Sequence, residues 1–233
     1  MSDQKENYWA KFWSEYDFDA NSTDEQSQVF RTRDRAPIEK DAWEHTVKLV
    51  ANHMQFKPND TLLDICCGNG LFTQAFCGLV ESISAVDISD RLIDSLKSKN
   101  IANVDAFSDD VRNISFPESS FSKVLWYAGI QYLPESDIVN FLKQLRSWIK
   151  PNGVVLIGDI PDRQKLWDYF NTRDRLDAYF DGIGSNKPII GTWLDADWVE
   201  GLCLHAGFKK VEIIQQDPKL IYSDFRYDVL AWT

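Results

Sequence analysis

Apolar residues recur at helical spacing near the start of the chain. Trp9, Phe12, Trp13 and Tyr16 fall on one face of residues 2–16, with Lys11 and Glu15 elsewhere. An amphipathic helix is expected there. Residues 17–27, DFDANSTDEQS, are polar and read as a loop. Pro37 suits a helix start, and Ile38, Ala42, Trp43, Val47, Val50 and Met54 carry the helical period to about Phe56. Lys57-Pro-Asn-Asp60 is a turn.

From residue 61 the pattern changes to short apolar runs alternating with amphipathic stretches. Strands are expected at 61–66, 83–88, 104–107, 122–127 and 154–158, and helices at 71–80, 91–99 and 137–149. Ser89 or Asp90 caps the second of these helices, and Lys150-Pro-Asn-Gly153 stops the third. A helix is expected over 162–181, a loop over 182–191, and a further helix over 195–206 that ends at Gly207. The strands at 210–215 and 226–232 have no helix between them, so they pair antiparallel. The expected fold is α/β: a doubly wound, seven-stranded, mainly parallel sheet with an antiparallel C-terminal strand, helices on both faces and an N-terminal helical lid. Residues 1–57 form the lid and 58–233 the main domain, with a helical insertion at about 162–192. Ligands of such sheets bind beyond the carboxyl ends of the strands, where the strand order reverses.

The 233 residues carry 44% apolar side chains and a net charge of −11. A field of that sign disfavours a phosphate backbone or an anionic membrane as partner. The four cysteines make no CxxC pair and no histidine lies at zinc-like spacing from them, so no metal site and no disulfide framework are expected. Reduced thiols and an N-terminus without a signal-peptide pattern suggest a cytoplasmic protein. No apolar stretch approaches the ~20 residues needed to span a bilayer.

The chemistry concentrates at Leu62-Leu-Asp-Ile-Cys-Cys-Gly-Asn-Gly-Leu71, where a strand enters a tight turn. Gly68 and Gly70 let backbone approach a ligand closely. Asp64 places an acceptor at the strand end, able to hold an ammonium group directly or through water. Such a loop suits a zwitterionic amino-acid moiety better than a pyrophosphate. Asp87 ends the next strand, 17 residues after Gly70, where an acid takes both ribose hydroxyls. That feature marks an adenosine site without saying which. In Ser108-Asp-Asp-Val111 a carboxylate can accept from an adenine amine while the next backbone N–H donates to the ring.

Taken together, these segments resemble the class I (Rossmann-like) S-adenosylmethionine-dependent methyltransferases of the small-molecule type, over roughly residues 58–160. Leu63–Gly70 resembles the glycine motif and Ala85–Ser89 the ribose motif, with Ile88 covering the adenine. Asp109–Pro117 resembles the adenine motif, in which Asp110 aligns with the family's acid and Val111 follows it. Ser120–Tyr127 resembles the strand that faces the methionine part, which brings in Trp126 and Tyr127. Gln28-Val-Phe-Arg-Thr32 resembles a cofactor-contacting segment of bacterial relatives, which implies contacts from Gln28, Arg31 and Thr32, with Arg31 on the methionine carboxylate. The resemblance implies S-adenosylmethionine as cofactor and S-adenosylhomocysteine as product. Cys66 stands where the family has its first loop glycine. Gln131-Tyr132 stands where small-molecule enzymes often carry histidines, which leaves no obvious base there.

The implied reaction is methyl transfer to a small-molecule acceptor by in-line displacement. Tyr127 is the first candidate to touch the methyl group or acceptor, and His45 is the best placed of three histidines. The acceptor pocket is expected between the N-terminal helix and residues 162–192, walled by Trp9, Trp13, Tyr132, Trp167, Phe170 and Arg173. Aromatic faces suit a sugar or a planar metabolite, and a helix–helix seam produces the same pattern. Two other readings stand beside it. A nicotinamide oxidoreductase shares Asp87, but its loop reads G-x-G-x-x-G rather than C-x-G-x-G. A protein that binds S-adenosylmethionine without methylating shares every motif. Nothing in the pattern selects an oligomeric state.

Overall fold

The computed structural model describes residues 8–18, 24–33 and 36–233. Residues 2–7 of the expected first helix and 19–23 of the loop after it lie outside the described residues, as do residues 34 and 35. The chain runs through α1 (Tyr8–Ser14), a small hairpin of β1 (Thr32–Arg33) and β2 (Ala36–Pro37), and α2 (Lys40–Met54). The alternating part follows: β3 (Thr61–Ile65), α3 (Leu71–Phe76), β4 (Ser82–Asp87), α4 (Asp90–Ser98), β5 (Val104–Ser108), β6 (Phe121–Tyr127), α5 (Glu135–Trp148) and β7 (Ile149–Pro161). The chain ends with α6 (Leu166–Tyr169), α7 (Arg173–Gly184), α8 (Ala196–Ala206), β8 (Lys210–Gln215) and β9 (Arg226–Trp232).

The seven-stranded sheet has the order β5-β4-β3-β6-β7-β9-β8. Every pair is parallel except those made by β9, which runs antiparallel to both β7 and β8. Helices cover both faces, which is why β3, β6 and β7 are almost uninterruptedly apolar. Alternation along each strand divides the core in two. Leu63, Ile65, Trp126 and Ile157 pack with α5 and α8 on one side. Leu62, Leu125, Tyr127 and Leu156 pack with α2, α3 and α4 on the other. Strand order reverses between β3 and β6, so their carboxyl ends flank the crevice.

The expected sheet is present, and three local expectations change. Pro37 pairs in the hairpin with Thr32, so α2 begins at Lys40. The helix expected over 162–181 is broken. Phe170 buries its ring among Trp193 and Phe225, and Thr172 then caps a new helix by accepting from the Arg175 N–H at 3.3 Å. The turn expected at 150–153 is absorbed into a long β7, whose register with β9 shifts between Ile157 and Ile160. No helix among the described residues is long and apolar enough to cross a membrane.

Lys123 is the one charged residue within β6. It is buried, and its ammonium donates at 2.6 Å to the Met54 carbonyl at the end of α2, a favourable place for a cation. Replacing Lys123 by Met is expected to lower stability by about 1–2 kcal/mol, because that carbonyl loses a charged donor. Urea unfolding of the two proteins measures the difference; an unchanged midpoint rejects the cap.

Candidate active site

The loop after β3 makes three left-handed turns within five residues. Cys66, Gly68 and Gly70 have φ of +56°, +57° and +80°. A glycine at the first of these positions is free of strain, whereas a side chain costs roughly 1–2 kcal/mol there. Cys66 is accommodated because Gly129 makes room for it. A Cβ on Gly129 would stand 2.7 Å from the Cys66 sulfur and 2.8 Å from the Trp126 indole nitrogen. Gly70 is hemmed in by the Leu96 side chain, and Gly68 by Val29 from the N-terminal segment.

Three carboxylates surround this loop. Asp64 is buried and accepts from the Thr73 hydroxyl at 2.6 Å. Burial pushes its carboxyl up to about 7, against the lowering effect of the Thr73 bond. Asp87 accepts from the Gly68 N–H at 2.9 Å and the Ser89 N–H at 3.0 Å. Burial raises its pKa, and those backbone bonds oppose the rise. Each of its oxygens keeps a lone pair for a further donor. Burial also acts to raise Asp110, but the Arg112 fork prevails and holds it low. The Arg112 Nε lies 2.9 Å and 3.0 Å from the two Asp110 oxygens. Arg112 also reaches Asp137 at 3.3 Å.

The N-terminal segment closes over the loop. The Asn69 amide donates to the Glu25 carbonyl at 2.8 Å and to the Gln28 side chain at 2.9 Å. Lys99 pairs with Glu25 at 2.9 Å and donates to the Asn69 carbonyl at 2.8 Å. A short 3-10 turn at Ser27–Val29 ends in Phe30 with φ +54°, and Arg31 follows it into the interior. The Arg31 guanidinium lies 4.9 Å from the Tyr127 ring centre, 5.8 Å from Trp43 and 5.9 Å from Phe72. Trp9 and Trp13 of α1 pack on Tyr132 with centroids 4.9 Å and 5.5 Å away.

These parts enclose one cavity of about 980 Å³, counting its open mouth. Residues 66–69, Asp87, Ile88, Asp110 and Val111 form part of its wall; Asp109 does not. Trp9, Trp13 and Tyr132 contribute from the side of α1, and Arg31, Trp43, Phe72 and Tyr127 line it as well. Asp64 and Gly70 are not in the wall and act from the loop that carries it. Gln28 holds Asn69, and the Thr32 carbonyl accepts from the Tyr222 hydroxyl at 2.8 Å.

Other expected site residues are not part of the cavity wall. Trp126 points to the opposite face from Tyr127, fully buried with its ring 5.2 Å from Phe141. His45 bonds Asp217 at 3.0 Å, outside the cavity wall. Trp167 is exposed, Phe170 is buried in its own aromatic cluster, and exposed Arg173 pairs with Asp177 at 2.8 Å. None of these three lines the cavity. Sequence reasoning missed Trp43, Phe72 and a buried group made of Asp159, Arg226, Asp228 and Gln216. The available signal was the ionisable residues set into otherwise apolar β7 and β9.

The sequence profile of a family described as a methyltransferase domain matches residues 62–153. A demethylmenaquinone methyltransferase of Staphylococcus carnosus is 27% identical over 189 residues, covering 71% of this chain and 75% of that one. Among solved structures, a SAM-dependent methyltransferase of Leishmania major superposes with a TM-score of 0.67 at 13% identity, covering 97% of this chain and 81% of the other. One from Archaeoglobus fulgidus gives 0.64 at 16% identity, covering 88% and 98%. The last two similarities concern the fold.

Two stability predictions follow from the loop. Asp64 titrates at about 7 in the folded chain and near 4 when unfolded, so its contribution to stability is present below about pH 4 and lost as pH rises through 7. Asp64→Asn is expected to raise stability at pH 8 relative to the parent by about 1–4 kcal/mol, and to flatten the decline between pH 4 and 7. Urea unfolding across that range tests this, and an unchanged slope refutes it. At position 66, Gly is expected to keep stability within about 1 kcal/mol, while Val, which resists left-handed backbone, lowers it by about 2–3 kcal/mol. Equal loss in both variants would contradict the strain argument.

Proposed function

We propose that this chain, which belongs to the class I S-adenosylmethionine-dependent methyltransferases, methylates a small molecule with a flat face, seated between the cofactor and the aromatic lid. The observation that carries this reading is the single cavity that joins the glycine-loop cradle to Trp9, Trp13 and Tyr132. The residues present fit the cofactor. Asp87 keeps lone pairs for ribose hydroxyls, Asp110 and Val111 flank an adenine position covered by Ile88, and Asp64 with the Cys66 carbonyl suits an ammonium group. By the same reading Arg31 faces the methionine carboxylate, and residues 1–57 act as a lid. The S. carnosus relative's name makes a quinone-type ring the first acceptor to try, with sugars next.

The bound cofactor supplies an electrophilic methyl group. The protein's part is to align the acceptor with it and to exclude water. Tyr127 lies at the end of β6 with its hydroxyl 3.5 Å from Arg31. Burial pushes that hydroxyl well up, so Tyr127 keeps its proton and orients rather than abstracts. Tyr132 is pushed up to about 12, again chiefly by burial. The two thiols in the wall are raised the same way. An acceptor that is already nucleophilic on arrival suits such a wall best.

The direct test supplies methyl-labelled S-adenosylmethionine with a panel of quinols, phenols and sugars. The expected result is S-adenosylhomocysteine formed in step with a labelled product. Cofactor binding without product across the panel would favour the non-methylating reading, and binding of NAD instead would favour the oxidoreductase. Cofactor affinity should also depend on pH. Asp64 must be ionised to hold the ammonium, so calorimetry is expected to find binding about tenfold weaker at pH 6 than at pH 8. In Asp64→Asn the affinity is expected to be lower and flat with pH. A parent profile that is flat over this range removes Asp64 from the ammonium site.

A further inference from the structure

β7 contains a residue that its strand does not need. Asp159 sits at the register shift with φ +62°, a left-handed conformation within a sheet. Gly158 before it has no room for a side chain, because the Tyr127 ring occupies that space. The bulge is fixed from several directions. The Asp159 N–H donates to Asp228 at 2.7 Å, and Arg226 donates to the Asp159 carbonyl at 2.5 Å. Gln216 donates to the Asp159 carboxylate at 3.3 Å and to Asp228 at 2.7 Å. Strain this fully enforced is a reason to look for a task.

The carboxylate of Asp159 stands between two guanidinium groups, 3.6 Å from Arg31 and 3.4 Å from Arg226, and all three residues are buried. Arg226 is not part of the cavity wall; Arg31 is. Arg31 is also incompletely satisfied. Its contacts to Tyr127 and Asp159 are both 3.5 Å or longer, and its buried Nε has no hydrogen-bond partner among the described residues. A charged group normally bonds at about 2.7–2.9 Å. A buried guanidinium with an ion-pair partner but unused N–H groups retains donors for a ligand.

We propose that Asp159 is a positioning residue: clamped by Arg226, it fixes the Arg31 guanidinium in the cavity wall so that Arg31 meets the ligand carboxylate in a set orientation. This rests on the reading that Arg31 faces the methionine carboxylate. Without Asp159 the Arg31 side chain loses its ionic anchor, although the arginine itself remains.

Asp159→Asn isolates the charge, since Asn tolerates left-handed backbone and matches the shape. Calorimetry with S-adenosylmethionine and with methylthioadenosine, which lacks the amino-acid portion, separates positioning from general damage. Asp159→Asn and Arg31→Ala are each expected to weaken S-adenosylmethionine binding at least about tenfold (1.4 kcal/mol), with methylthioadenosine within about twofold of the parent. The double variant should lose little more than Arg31→Ala alone. If Arg31→Ala leaves S-adenosylmethionine affinity unchanged, the reading of Arg31 itself fails and the proposal with it. If Arg31→Ala weakens binding but Asp159→Asn does not, or the two losses add in full, the positioning role alone is overturned. Equal loss of methylthioadenosine binding overturns it too. Should Asp159→Asn fail to fold, Arg226→Gln is judged by the same comparison, with a smaller selective loss expected.

Discussion

Buried negative charge at the carboxyl edge of the sheet is the constraint that the rest of this site answers. Asp64, Asp87, Asp159 and Asp228 are all more than nine-tenths buried there. An ionised carboxylate taken out of water is strongly unfavourable unless donors replace the water. Each acid is answered in a different way. Asp87 takes backbone N–H groups from the loop it supports. Asp64 has a single hydroxyl partner and stays poised near neutrality. Asp159 has two arginines, and Asp228, pushed up to about 6 mainly by burial, has Gln216 and a backbone N–H. The acid with the fewest internal partners, Asp64, is the one that the proposed reading pairs with a cationic ligand group.

The N-terminal segment belongs to this arrangement, even though it precedes the sheet in the chain. Asn69 and Lys99 hold Glu25 and Gln28 over the glycine loop, while Arg31 reaches Asp159 from the same segment. The cover is therefore pinned at two ends of the cavity by polar contacts, and between them by the packing of Trp9 and Trp13 on Tyr132. Polar ties of this kind exchange with water at modest cost, whereas the sheet beneath is locked by its two apolar layers. That difference fits the proposed division into a rigid cradle and a cover.

Much of this was legible in the sequence, and what was missed has a physical pattern. The strand–turn–helix alternation and the acids at strand ends are local features, written in runs of five to ten residues. The parity of adjacent positions in β6 already separates Trp126 from Tyr127, since neighbours on a strand face opposite sides. The resemblance alone put both near the cofactor. The break at Phe170 was hidden because an aromatic residue followed by Asn and Thr continues a helical period until a distant pocket, Trp193 with Phe225, draws the ring in. The partnership of Arg31, Asp159 and Arg226 joins three segments far apart in the chain, so no window of sequence contains it. Only the ionisable residues interrupting β7 and β9 hinted at it.

The charge balance of the whole chain then acquires a role at the site. A net charge of −11 turns away phosphate backbones, but it does the reverse for a cation. S-adenosylmethionine carries a sulfonium and an ammonium against one carboxylate, whereas the thioether left after methyl transfer has lost the sulfonium. Asp87, and Asp64 once ionised, add to that negative field at short range, and the low-dielectric walls of the cavity strengthen it. The electrostatic part of binding therefore favours the charged cofactor over the thioether. Arg31 is the local exception, a guanidinium among the rings of Tyr127, Trp43 and Phe72 and beside Asp159; on the proposed reading it is the positive charge that answers the cofactor carboxylate.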